Sequence, residues 1–162
     1  MRERRVGDQT LLTVKTAGQS VGGLSRRSEW EAPTQAGRPD FAALVDEPRL
    51  AADLVALTPR LRPVFRTDFQ RRRWTLAHGG ARIELALDEG LITAGHSADA
   101  PDGTCREAIL ELELELLDGP SDALLSLAAA LQAGSDRAWL HPFDLSKAQR
   151  GLALFLQDNA HP

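Results

Sequence analysis

Residues 107 to 117, Glu107-Ala-Ile-Leu-Glu-Leu-Glu-Leu-Glu-Leu-Leu117, alternate between polar and apolar positions. As a strand, this stretch places Glu107, Glu111, Glu113 and Glu115 on one face and Leu110, Leu112, Leu114 and Leu116 on the other. Leu and Glu also favour helix, but a helical period would scatter the carboxylates around the axis, so strand is the better reading. Neighbouring carboxylates on one face repel, and either water or cations must meet them.

The same alternation recurs along the chain. Residues 1 to 5 and 9 to 16 read as strands joined at Gly7-Asp8, a hairpin that turns Arg2, Arg4 and Lys15 to one side. Gly18, Gly22 and Gly23 mark a loop, and residues 26 to 31 resume the alternation with Arg27, Glu29 and Glu31 opposite Trp30. After a connector rich in Pro and Gly, Asp40 is placed to cap helices over 41 to 47 and 49 to 57, interrupted at Pro48. Residues 64 to 76 form a long strand with Thr67, Arg71 and Arg73 on one face. In the next strand, 82 to 88, Ile83, Leu85 and Leu87 oppose Glu84, Ala86 and Asp88. Asp88-Glu89-Gly90 has turn composition, followed by a short strand over 91 to 95 and a polar loop over 96 to 104. Ser121 opens a helix to about Ala133, residues 139 to 142 read as loop, and a last helix covers 145 to 156.

About seven strands joined by short turns, with helices in two places, predict an α+β fold: an antiparallel sheet or barrel with helical insertions. Charged residues recur on what should be one fixed face of several strands. A barrel interior lined by Arg, Lys and Glu cannot be dry, because unpaired buried charges cost several kcal/mol each, so a wet, occupied cavity is expected.

The chain of 162 residues has the length of one domain, expected over 1 to 157 with a tail at 158 to 162. A formal charge of −4 argues against a general nucleic-acid binder. The single cysteine, Cys105, excludes an internal disulfide framework and fits a reducing cytoplasm. No apolar run reaches membrane-spanning length, so no membrane partner is expected. Of 19 Lys and Arg residues only two are lysines, Lys15 and Lys147.

In their order and spacing, these elements resemble the CYTH superfamily, the triphosphate tunnel metalloenzymes, and most closely its bacterial inorganic triphosphatase branch. The resemblance is carried by Arg2-x-Arg4, Thr13-x-Lys15, Gly22-Gly23-Leu24 with Arg27-x-Glu29, Thr67-Asp68-Phe69 with Arg71, Glu84 to Asp88, Glu111-x-Glu113-x-Glu115, and Leu145-Ser-Lys147-Ala148 with Arg150-Gly151. Both lysines fall at basic positions of that pattern. The resemblance implies an eight-stranded antiparallel tunnel that hydrolyses inorganic triphosphate with Mg²⁺ or Mn²⁺. Arg2, Arg4, Lys15, Arg27, Arg71, Arg73 and Lys147 would then bind phosphate, and Glu29, Glu84, Asp88, Glu111 and Glu113 would bind metal or position water. Glu111, Glu113, Lys15 and Arg71 are the residues expected to carry catalysis. The family's amino-terminal Glu-x-Glu-x-Lys strand has no counterpart here. A tunnel incomplete at that edge, open to association with another copy, is therefore expected.

Singly, each feature has a plainer reading: Glu-x-Glu as a solvated sheet face, Arg71-Arg-Arg73 as a basic patch, Lys147 as a solvent-facing helix residue. Other functions also stay open: a polyphosphate- or nucleotide-binding module without turnover, an incomplete domain, or a member acting on thiamine triphosphate or cyclising ATP.

Overall fold

The computed structural model describes residues 1–94, 105–134 and 140–158. The loop expected at 96 to 104, Trp139, and all of the expected tail except Asp158 lie outside them. The chain divides into two compact units, Met1–Arg62 and Pro63–Pro162. Among the described residues eight strands pair antiparallel into three open sheets, so the class is α+β without a closed barrel.

In the first unit, β1 (Arg2–Val6) and β2 (Gln9–Lys15) form the expected hairpin, and β5 (Glu29–Thr34) pairs with the other edge of β2. The segment read as a glycine loop is itself a small hairpin, β3 (Gln19–Val21) and β4 (Leu24–Arg26). Its turn residues Gly22 and Gly23 both have positive φ, the geometry favoured where two strands reverse tightly. Asp40 caps α1 (Phe41–Leu44) by accepting the Ala43 N–H at 3.1 Å. α2 (Pro48–Leu57) starts at Pro48, whose missing N–H is no loss in a first helical turn. One face of β2 supplies Leu12 and Val14 to a core closed by Phe41, Val45 and Ala51. Trp30 packs on that core and donates its indole N–H to Asp46 at 2.7 Å.

The second unit is built on three long strands, β6 (Phe65–His78), β7 (Ala81–Ala94) and β8 (Cys105–Asp118). The register sets Ile83 beside Leu76 and Leu116 on one face, and Asp88 beside Arg71 and Glu111 on the other. α3 (Asp122–Ala133) covers the first face, where Ala123 and Leu127 pack on Ile83. α4 (Lys147–Asp158) lies on the second, with Arg150 bonded to Glu107 and the backbone of Gly151 against the Phe65 ring.

The turn expected at Asp88-Glu89-Gly90 does not exist, because β7 continues through it to Ala94. Asp88 finds its partners across the sheet in Arg71, so its side chain has no call on a local turn. Gly90 marks a close approach of strands: a Cβ there would stand 2.1 Å from the Asp68 carbonyl oxygen. Among the described residues no helix is long and apolar enough to cross a membrane.

Candidate functional site

The site of the second unit lies on the α4 face of the sheet. Arg71 on β6, Asp88 on β7 and Glu111 on β8 are direct cross-strand neighbours, and Glu113 follows two positions along on the same face. Arg71 forks onto Asp88, Nε to Oδ1 and Nη2 to Oδ2, both at 2.6 Å, and Nη2 also reaches Glu113 Oε2 at 2.6 Å. Planarity makes the guanidinium a match for two carboxylate oxygens at once.

Lys147 arrives from α4. Ser146 and Gln149 form a reciprocal cap: Ser146 Oγ accepts the Gln149 N–H at 3.3 Å, and Gln149 Oε1 accepts the Ser146 N–H at 2.9 Å. This cap starts the helix at Lys147, two residues later than the expected start at 145. The ammonium then stands 2.7 Å from Asp88, 2.8 Å from Glu111 and 2.7 Å from Glu113. Its side chain is only 13 % exposed, which removes the solvent-facing reading.

Burial alone pushes the Asp88 and Glu113 carboxyls up, but Arg71 and Lys147 more than reverse this and hold both below their ordinary values. Burial likewise lowers the Lys147 ammonium, and Glu113, Asp88 and Glu111 outweigh it, so its pKa is raised. Arg71 is raised chiefly by its bond to Asp88. All four groups are charged at neutral pH.

Two further residues complete the cluster, and neither was among the expected site residues. Arg150, 7 % exposed, donates from Nε to Glu107 at 2.5 Å, from Nη2 to the Ala108 carbonyl at 2.7 Å, and from Nη1 to Glu111. The signal for Arg150 was its spacing from Lys147, three positions along one helical face. For Glu107 it was its place in the row of carboxylates.

Arg73 and Glu84 are not drawn into this group. Arg73 is 65 % exposed and meets Glu84 at 3.9 Å, further along the sheet.

In the first unit, Arg2, Thr13 and Glu31 stand in one cross-strand row. Glu31 accepts from Arg4 Nη2 at 2.9 Å and from the buried Thr13 hydroxyl at 2.6 Å, with Arg2 at 3.8 Å. Burial raises the Glu31 pKa, and the Thr13 hydroxyl with Arg4 and Arg2 brings it below its usual value. Lys15 pairs with Glu29 at 2.6 Å. Arg27 is exposed in the connector between β4 and β5. Glu31 was legible as a neighbour of Glu29 on the alternating face, but its role as hub depended on strand register.

The charged faces of both units are thus largely occupied by mutual ion pairs, although Arg4 Nε in the first unit is buried with no hydrogen-bond partner among the described residues. The oxygen donors Asp88, Glu111 and Glu113 are the chemistry that suits a hard divalent cation. Among the described residues no group of three or more His, Cys, Asp or Glu is arranged to hold a metal ion. The carboxylates converge on Lys147 and Arg71 instead.

The CYTH domain family profile matches residues 1–152. An inorganic triphosphatase from Haemophilus influenzae is 30% identical over 161 residues, which is 95% of this chain and 40% of that protein. The chain therefore spans two-fifths of the length of this curated relative.

Proposed function

The chain belongs to the CYTH domain family, and on that premise we propose that it hydrolyses inorganic triphosphate to pyrophosphate and phosphate with Mg²⁺ or Mn²⁺. The observation that carries this reading is the meeting of Asp88, Glu111 and Glu113 with Arg71 and Lys147 on one sheet face. Three cations, Arg71, Lys147 and Arg150, stand among four carboxylates, Asp88, Glu107, Glu111 and Glu113. That balance is net negative and repels a bare polyanion, so triphosphate and divalent cation bind together.

In this reading Asp88, Glu111 and Glu113 are the residues that would hold the ion, and the ion would supply neutralisation of the phosphate charge. Lys147 and Arg71 leave the carboxylates for phosphate oxygens and stabilise the charge that develops as the terminal P–O bond breaks. Water adds to the terminal phosphorus, and the bridging oxygen leaves with pyrophosphate. Glu113, 45 % exposed at the side-chain level, would orient that water, whose proton passes to solvent. On the first unit, Arg2, Arg4, Lys15 and Arg27 would offer phosphate contacts of their own, and Glu29, paired to Lys15, would be the carboxylate there for an ion. Arg73 and Glu84 serve the outer end of the sheet face.

A second reading, a polyphosphate-binding module without turnover, draws on the occupation of the Asp88, Glu111 and Glu113 oxygens by Arg71, Lys147 and Arg150. We place the protein in the cytoplasm, in keeping with the free thiol of Cys105. Self-association through an open sheet edge is part of the same proposal. A substrate panel tests the specificity: tripolyphosphate is expected to be turned over at least tenfold faster than ATP or thiamine triphosphate. Equal or faster turnover of the nucleotide would overturn the assignment.

A further inference from the structure

We propose that Arg150 is a positioning residue: it clasps the first turn of α4 to β8 and fixes Glu111, so that Lys147 is the cation free to exchange carboxylate for phosphate. This rests on the triphosphate reading of the site and assigns different tasks to two cations that share a helix face.

The partners of the two differ in kind. Lys147 is hydrogen-bonded to side-chain carboxylates, Asp88, Glu111 and Glu113, with the Phe69 ring 5.2 Å from its ammonium. These are groups that a divalent cation would compete for, which would leave the ammonium available to phosphate. Arg150 is held by Glu107 at 2.5 Å, by Glu111, and by the main-chain carbonyl of Ala108 at 2.7 Å. A carbonyl inside a strand cannot swing away, so this bond holds Arg150 in place when side-chain carboxylates change partners. The rigid fork points three donors at three acceptors along one stretch of β8, which a single ammonium cannot do. The Phe143 ring lies 5.6 Å from the guanidinium.

A second, independent feature seats the same turn. The backbone of Gly151 lies so close to β6 that a Cβ there would stand 2.3 Å from the Phe65 ring. Polar clasp and close contact together fix where Lys147 emerges. A purely structural ion pair would lower stability without altering what Lys147 and Glu111 do.

The test is calorimetric titration of tripolyphosphate with Mg²⁺ into the wild type, Arg150→Met, Arg150→Lys, Lys147→Met and the Arg150→Met/Lys147→Met double variant, below each melting temperature. Arg150→Met is expected to weaken binding at least tenfold, and Arg150→Lys to recover part of it. The double variant is expected to bind less than threefold more weakly than Lys147→Met alone, because both losses act through one turn of helix. Full affinity in Arg150→Met, or independent losses in the double variant, would overturn the proposal.

If Arg150→Met does not fold, Gly151→Ala keeps both cations and must show the same loss; unchanged affinity there also overturns it. Should the wild type neither bind nor hydrolyse tripolyphosphate, the proposed function fails by itself. Amide exchange across residues 147–158 then reads the clasp: lost protection in Gly151→Ala and Arg150→Lys supports it, and unchanged protection refutes it.

Discussion

Lys147 places its ammonium 2.7 Å from Asp88 Oδ2, and Asp88 has no exposed surface. A carboxylate in that position stays ionised only while cations remain on it. The pair joins β7 to α4, so the charge that equips the site also fastens the helix to the sheet.

Removing Asp88 should therefore unsettle more than one bond. Asp88→Asn leaves Arg71 and Lys147 without their buried partner and is expected to cost about 3 kcal/mol in urea unfolding. The Arg66–Asp68 pair, 70 % and 78 % exposed, is the control, and Asp68→Asn is expected to be near neutral. Equal effects at the two positions would contradict the role given to Asp88.

The pH dependence follows from the directions of the shifts. Asp88, Glu113 and Glu31 are lowered from ordinary values of 3.8, 4.5 and 4.5, so their stabilisation is present above those values and is lost as pH falls through the folded ones. Lys147 is raised from 10.5, so its contribution is complete below that value and is lost as pH rises through the folded one. A melting-temperature profile flat between about pH 5 and 10, falling at both ends, is the expected result. In Lys147→Met the alkaline decline should become shallower, because the group whose deprotonation causes it is gone.

Gly90 sits where β6 presses closest on β7, and Gly90→Ala is expected to destabilise by roughly 1–3 kcal/mol, because backbone of Asp68 and Phe69 blocks the added methyl. Thermal or urea unfolding of the purified variant checks this. A neutral result would mean that the strands separate there at little cost.

In the proposed reaction Lys147→Met removes a charge that stabilises the breaking terminal P–O bond, and about a hundredfold loss in kcat is expected. Arg71→Lys keeps the charge but loses the fork onto Asp88, and a smaller loss, about tenfold, is expected. Steady-state phosphate release distinguishes the two. Indifference to either change would remove these residues from the reaction.

The acidic strand β8, the arginine-bearing strand β6 on the other side of β7 and the α+β class were legible because alternation marks a strand whatever surrounds it. Where each face is covered was not legible. Ile109, on the carboxylate face, is 1 % exposed and Leu110, on the leucine face, is 71 % exposed. α3 covers one face near Ile83 and α4 the other near Glu107, so burial changes sides along one strand. Turn composition misled at Asp88-Glu89-Gly90, where cross-strand partners override local preference. Glu31 needed strand register to emerge as a hub, and Arg150, though three positions from Lys147 on one helical face, needed the packing of α4 on β8 to show what it holds.

The central claim is that this charged sheet face performs metal-dependent hydrolysis, and phosphate release from tripolyphosphate by the purified chain tests it most directly. With Mg²⁺ or Mn²⁺ the wild type is expected to release phosphate, and Glu111→Gln/Glu113→Gln to lose at least a hundredfold of that rate while remaining folded. Tripolyphosphate that raises the melting temperature with no phosphate released under either metal would contradict the account and leave a binding module.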